Sequence, residues 1–271
     1  MLCYRPMVRW FDAHLHLTDS RLHPEVEHVR QIWRDAQIVG GLTCAAFPAA
    51  WGTPLPEDPA IIRAYGIHPW AAEDAGRAQL AHLWTLLQAH PTALIGEIGL
   101  DGLRKTTDNG VQQRYLFHEQ LLMATRLSRP VIVHGARKWS DLFDLLEPWA
   151  SRVPAIMLHG AAFSEEQLHH RLFRHRNLWF SFGTALLNPS AKRVHQLVAA
   201  VPADRLLIET DAPDMLPRGE GVDALETAAG RLNHPLNLCR VGAVLAALRG
   251  CSIAEIAPQT TQNAQNFISA R

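Results

Sequence analysis

Four histidines and two carboxylates stand where apolar runs end, and together they form a set suited to divalent metal. In Phe11-Asp12-Ala13-His14-Leu15-His16 the histidines lie at i and i+2, which on a strand puts both imidazoles on one side. At a strand end such a pair can reach one ion; taken alone it is equally a packed core pair. Glu97 sits within Ala93-Leu94-Ile95-Gly96-Glu97-Ile98-Gly99-Leu100-Asp101, an otherwise apolar segment. A lone buried carboxylate is costly unless paired or bound to metal. A structural salt bridge is the alternative, set lower because the flanking glycines are expected to leave open space around the carboxylate. His134 follows Val131-Ile132-Val133 and His159 follows Ile156-Met157-Leu158, each with glycine next. One such histidine is ordinarily a core residue; two in equivalent places, after the first pair, read as ligands. Asp211, in Glu209-Thr210-Asp211-Ala212-Pro213, is a ligand or a turn-forming aspartate ahead of Ala-Pro.

Residues so far apart in sequence need a scaffold that brings several strand ends to one face. Candidate strands run over 8–11, 41–47, 61–67, 93–98, 130–133, 155–158, Leu178–Phe182 and Leu206–Ile208. Between them lie amphipathic stretches. Leu80, Leu83, Trp84 and Leu87 share one helix face, as do Leu142, Leu145, Leu146 and Trp149, and Val241, Val244, Leu245 and Leu248. Ser164 to Gln167 and Ser252 to Glu255 have the pattern of capping boxes, Gly250 suits a helix C-terminus, and Pro258 should split the last helical region. Eight strand–helix units in alternation predict an α/β protein, a single (β/α)8 TIM-type barrel. An open doubly wound sheet is the runner-up, but no GxGxxG follows the first strand. The six residues then converge on the C-terminal face of the barrel. Glu97 could bridge two ions, with His14, His16 and Asp211 around one and His134 and His159 around the other. The stretch 212–235, without clear periodicity, would overhang that face.

The chain of 271 residues suits one barrel domain over 1–271, with residues 1–7 as a loose extension. Its 26 basic and 26 acidic residues balance, which argues against a tight, processive grip on a polyanion but permits local contact at a cleft. No apolar run is long enough for a membrane span. Cys3, Cys44, Cys239 and Cys251 form no CxxC pair and read as reduced thiols of a cytoplasmic protein. A monomer is expected.

The motifs resemble those of the TatD family of metal-dependent hydrolases. They are Phe11 to His16, Gly66-Ile67-His68-Pro69, Gly96 to Asp101, Val131 to His134, His159 ahead of Phe163-Ser164, and Glu209 to Pro213. Gln113 to Pro130 also has the family's look, and the resemblance runs from about Arg9 to the C-terminus. It implies a barrel, two divalent ions (Mg²⁺, Mn²⁺ or Zn²⁺), the six ligand roles above, and hydrolysis of phosphodiesters, often at DNA ends, as by a 3′–5′ exonuclease. Three loops depart from the family pattern. His159 is separated from Phe163-Ser164 by one residue more than usual, Arg137 follows His134 after Gly135-Ala136, and the family's Asn-Glu-Pro is Asn233-His234-Pro235. These departures bear on substrate choice.

Two-metal hydrolysis is the expected chemistry. Asp211 would ligate and take a proton from the attacking water, Glu97 would bridge, and His68 would contact a phosphate or leaving oxygen. The alternative for His68 is a packed histidine ahead of proline. Arg137 would meet a phosphate, or is a solvated arginine. The basic run His169 to Arg176 reads first as a solvated helix end. Amide or ester hydrolysis on a related barrel is the second reading, but it commonly bridges metals with a carbamylated lysine. Lys105, Lys138 and Lys192 all lie outside the candidate strands. A metal-binding protein without catalysis is the third, disfavoured by the intact ligand set.

Overall fold

The computed structural model describes residues 8–104, 110–218 and 222–270. The expected loose extension at 1–7, Cys3 and Lys105 lie outside them. Eight parallel strands run in the order β1 to β8: Trp10–Leu15, Ile38–Ala45, Ile61–Tyr65, Leu94–Asp101, Val131–Ala136, Ile156–Leu158, Leu178–Phe182 and Leu206–Ile208. This is the (β/α)8 barrel that the sequence predicts. β1, β2, β4, β6, β7 and β8 are nearly all buried, because β-branched and aliphatic residues facing alternate sides feed two separate apolar layers. Phe11, Leu42, Leu94, Ile132, Met157, Trp179 and Leu207 fill the interior. Their neighbours Ile95, Val133, Leu158, Phe180 and Ile208 pack outward under the helices.

The helices bury the stripes their periodicity requires. α1 is Val26–Asp35, α2 is Arg77–Ala89, α3 is Val111–Leu127, α4 is Trp139–Leu146, α5 is Lys192–Ala200, α6 is Asn237–Arg249 and α7 is Ile253–Ser269. On α2 Leu80, Leu83 and Leu87 are buried while Trp84 is half-buried; each buried leucine contributes about 1.5–3 kcal/mol. Gly250 ends α6 at φ 65°, and Ser252 with Glu255 caps α7. Phe267 of α7 packs on Trp179, closing the interior layer at the end opposite the candidate site.

Three features differ from expectation. α7 runs unbroken through Pro258. Pro258 sits in the second turn, and both it and Ala254, whose carbonyl loses its partner, are exposed, so water can satisfy that carbonyl. The alternation of strand and α-helix is incomplete: only the 3-10 turn Pro48–Ala50 lies between β2 and β3, and the 3-10 turns Glu165–His169 and Arg171–Arg174 lie between β6 and β7. The stretch after β8 contains an antiparallel hairpin, β9 (Ala224–Thr227) with β10 (Gly230–Asn233). No single helix among the described residues is long and apolar enough to cross a membrane.

Candidate metal centre

β8 ends at Ile208, so the seam between β8 and β1 is closed by the residues just beyond it. Thr210 donates from its amide and its hydroxyl to the Asp12 carboxylate, at 3.0 and 2.6 Å. The Asp211 amide donates to the His14 carbonyl at 3.0 Å, and the His16 amide to the Ala212 carbonyl at 2.8 Å. This stitching sets His14, His16 and Asp211 side by side. Register shifts in the β1–β2 pairing let both histidines face the interior mouth although they follow the inward Phe11 and Ala13. Asn233 ties the hairpin segment to the same place, donating to the Thr210 carbonyl at 2.7 Å.

Glu97, buried in β4, lies at the centre. Its Oε2 is 3.3 Å from His14 Nε2 and 3.6 Å from His16 Nε2. Asp211 Oδ1 joins these, 3.5 Å from His14 Nε2 and 3.2 Å from His16 Nε2. The other oxygen of Glu97, Oε1, is 2.7 Å from His134 Nδ1, 2.8 Å from His159 Nε2 and 3.4 Å from His68 Nε2. The glycines beside Glu97 act differently from the expected open space. A Cβ at Gly96 would meet the Ile132 side chain at 2.6 Å, and one at Gly99, where φ is 145°, would collide with the His134 carbonyl. They bring β5, and with it His134, close to the carboxylate.

Each of four histidines has its far nitrogen held. His16 Nδ1 donates to the Cys44 carbonyl at 3.0 Å, and His14 Nδ1 faces the Cys44 sulfur at 3.4 Å. His134 Nε2 is 3.0 Å from Asp101, and His159 Nδ1 is 3.3 Å from Glu209. Outward donation by His16, His134 and His159 means that each ring, once neutral, directs its inner lone pair at the centre, as a metal ligand needs. His68 is the reverse. Its Nδ1 accepts from the Trp70 amide at 3.0 Å, so the neutral ring carries its hydrogen on Nε2, toward Glu97. His68, when neutral, therefore presents a donor where His16, His134 and His159, when neutral, present a lone pair.

Electrostatics follow this packing. Burial opposes ionisation of Glu97, but His159, His68 and His14 hold it well below the ordinary carboxylate range. Burial likewise works against Asp211, and His16 lowers it. Burial works against charging His16, yet Asp211 and Glu97 push it up to about 9. Against burial again, Glu97 and Glu209 raise His159 well above the usual imidazole value. Burial pushes His68 down to about 4, keeping it neutral near pH 7. No lysine or arginine pairs with Glu97 or Asp211 among the described residues; imidazoles alone offset them. Ligand atoms of His14, His16 and Asp211 lie within 4.8 Å of one another, as do those of His14, Glu97 and His159, and of His68, Glu97 and His134. Nitrogen and carboxylate oxygen donors around a buried carboxylate fit divalent cations.

All six expected ligands are thus gathered, with His68 beside them. Arg137 is not: it is exposed in the loop after β5, at φ 55°, and no contact joins it to the cluster among the described residues. The basic run is partly engaged elsewhere, with His170 3.2 Å from Asp144 and Arg171 3.6 Å from Glu147. Asp101 and Glu209 were not singled out from sequence. Each stands an even number of residues from a chosen carboxylate, Glu97 and Asp211, and that strand-like spacing was the available signal.

The sequence model of the family described as TatD related DNase matches residues 11–269. A protein of Erwinia amylovora named 3'-5' ssDNA/RNA exonuclease TatD is 30% identical over 259 residues, covering 94% of this chain and 98% of its own. A Bacillus subtilis protein named uncharacterized metal-dependent hydrolase YabD is 27% identical, over 95% of this chain and 98% of its own. The crystal structure of YJJV, a TatD homologue from Escherichia coli, superposes with a TM-score of 0.84 at 28% identity, covering 96% of this chain and 98% of that one.

Proposed function

The chain belongs to the TatD-related DNase family, and we propose that it hydrolyses phosphodiester bonds of single-stranded nucleic acid from the 3′ end. The relatives' names support the substrate, and one observation supports the chemistry: the two oxygens of Glu97 face two different groups of ligands. Glu97 would bridge two divalent ions, one held by His14, His16 and Asp211, the other by His134 and His159. When bound, such ions supply Lewis-acid polarisation of the phosphate and lower the pKa of water.

The chain's own residues do the rest. Asp211 has the most exposed side chain of the six, at 19%, and is held ionised, so it can accept a proton from water arriving from solvent. His68 holds a hydrogen on Nε2, fixed by the Trp70 amide, and donates it to a phosphate or leaving oxygen. Cys44, Asp101 and Glu209 hold the histidine rings in place. Arg137, exposed at the rim, would grip a phosphate farther along the strand. The six ligands all come from one chain, which is consistent with action as a monomer. Cys44, Cys239 and Cys251 are free thiols, in keeping with the cytoplasm.

The amidohydrolase reading loses support at the bridge. Lys138 and Lys192 stand at the starts of α4 and α5, and Glu97 occupies the bridging place. The test is to strip the protein of metal and reload it separately with Mg²⁺, Mn²⁺ and Zn²⁺. Single-stranded DNA, RNA and a generic phosphodiester are then offered beside amide and carboxyl-ester substrates. Release of 3′ nucleotides is the expected result; turnover of amides or esters alone would overturn the proposal.

A further inference from the structure

The mouth of the site carries two aromatic rings that the fold leaves in solvent. Phe47 follows β2 and Trp70 lies in the 3-10 turn Pro69–Asp74 after β3; each is 39% exposed. Both rings bracket His68. The Phe47 centroid is 5.6 Å from that of His68 with the planes 35° apart, and the Trp70 centroid is 5.0 Å away, edge-on at 80°. His68 in turn lies 3.4 Å from Glu97, so each ring stands one side chain away from the reacting centre.

The Trp70 ring is held in place. Its amide donates to His68 Nδ1 at 3.0 Å, its carbonyl accepts from Arg104 Nη1 at 3.3 Å, and its side chain hydrogen-bonds Asp101. The Arg104 guanidinium sits over the ring, 4.9 Å from the centroid. Exposed Arg137 and half-buried Lys138 follow β5, and the Lys138 stem lies against Gly102, two residues before Arg104. The order from Glu97 outward is therefore His68, the Trp70 ring, then the Arg104 guanidinium.

We infer that Phe47, Trp70 and Arg104 form a stacking subsite for an unpaired nucleobase next to the scissile phosphate. This rests on the phosphodiester reading above. Every base has a flat face that can lie on an aromatic ring whatever the sequence, and adjacent cations take the backbone phosphates. A base locked in a duplex cannot offer its face, so the subsite selects frayed or single-stranded ends. A small phosphodiester without a base would leave both rings in water and gain nothing from them.

The experiment uses the Mn²⁺-loaded protein and two single-stranded oligonucleotides of equal length. One ends at its 3′ side in an ordinary nucleotide, the other in a tetrahydrofuran abasic unit. The ratio of kcat/KM for release of the terminal unit is compared for the unaltered protein, Phe47→Ala and Trp70→Phe, with metal content measured on each. The unaltered protein should favour the base-bearing end by about tenfold, the scale of one lost stacking contact. Phe47→Ala should bring the ratio towards parity with full metal content, and Trp70→Phe, which keeps a ring, should retain most of it. Equal rates on the two substrates in the unaltered protein, or an unchanged ratio in Phe47→Ala, would overturn the subsite. If neither oligonucleotide is cut, the phosphodiester reading fails separately. Fluorescence anisotropy of a labelled single strand then decides the subsite. Weaker binding by Phe47→Ala, again about tenfold, supports it, and unchanged binding rejects it.

Discussion

Asp101 Oδ2 lies 3.0 Å from Nε2 of His134, at the far edge of a ring whose Nδ1 is 2.7 Å from Glu97. Burial disfavours the charged Asp101, yet His134 and the Leu103 and Arg104 amides hold it ionised. The ring is thus clamped between two carboxylates, one of which faces the centre. Asp101→Asn keeps the shape and an acceptor but removes the charge that would make His134, as the proposed ligand, a stronger one. Metal affinity on the His134 side should fall about 10- to 100-fold with the fold intact. Isothermal titration with Mn²⁺ or Zn²⁺ checks this, and an unaltered isotherm would count against the clamp.

Glu97→Gln removes the charge proposed to bridge the ions, at nearly constant volume. Metal content and phosphodiester hydrolysis should both drop steeply while circular dichroism stays near that of the parent. Full activity in this variant would mean that the centre is built on other residues.

His68 and Arg137 should separate in kinetics. His68→Ala removes a placed donor, so metal content should hold while kcat/KM falls by about 10²-fold or more. Loss of metal instead would make His68 a ligand and redraw the partition. Arg137→Ala should chiefly raise KM, because a guanidinium on a distant phosphate binds ground and transition states alike.

The pH dependence follows from His16. Its folded-state pKa, about 9, lies above the ordinary 6.5, so its pairing with Asp211 and Glu97 stabilises the metal-free protein fully below 6.5 and is lost as pH rises through about 9. An incoming cation must displace that proton, so binding tightens over the same window. The difference in Tm between metal-loaded and metal-free protein should therefore widen from pH 6.5 to 9. Proton release on titration with metal should diminish above that range. A metal affinity flat across the window would contradict the assignment of His16.

Much of this was readable from sequence because barrel strands are buried on both faces. Apolar runs such as Val131 to Val133 announce themselves, and a histidine or glutamate ending or interrupting one stands out. The partners behind the ligands were harder. Glu209 meets His159 and Asp101 meets His134 only once the barrel closes, and nothing in sequence links residues so far apart. The tautomer of His68 depends on a backbone amide two residues on, which is a matter of turn geometry rather than residue type. The β9–β10 hairpin is hard to read because its strands are short and, with one buried leucine each, carry little periodic apolar signal. Pro258 reads as a helix breaker from residue type alone; that the orphaned Ala254 carbonyl faces water depends on the fold.

The central claim is that Glu97 bridges two cations held by different histidine groups. The most direct measurement is an anomalous difference map from crystals of the protein soaked in Mn²⁺. Two peaks about 3.5–4 Å apart should flank the Glu97 carboxylate, one contacting His14, His16 and Asp211 and the other His134 and His159. A single peak, or a peak bound through His68 Nε2 in place of either group, would contradict it.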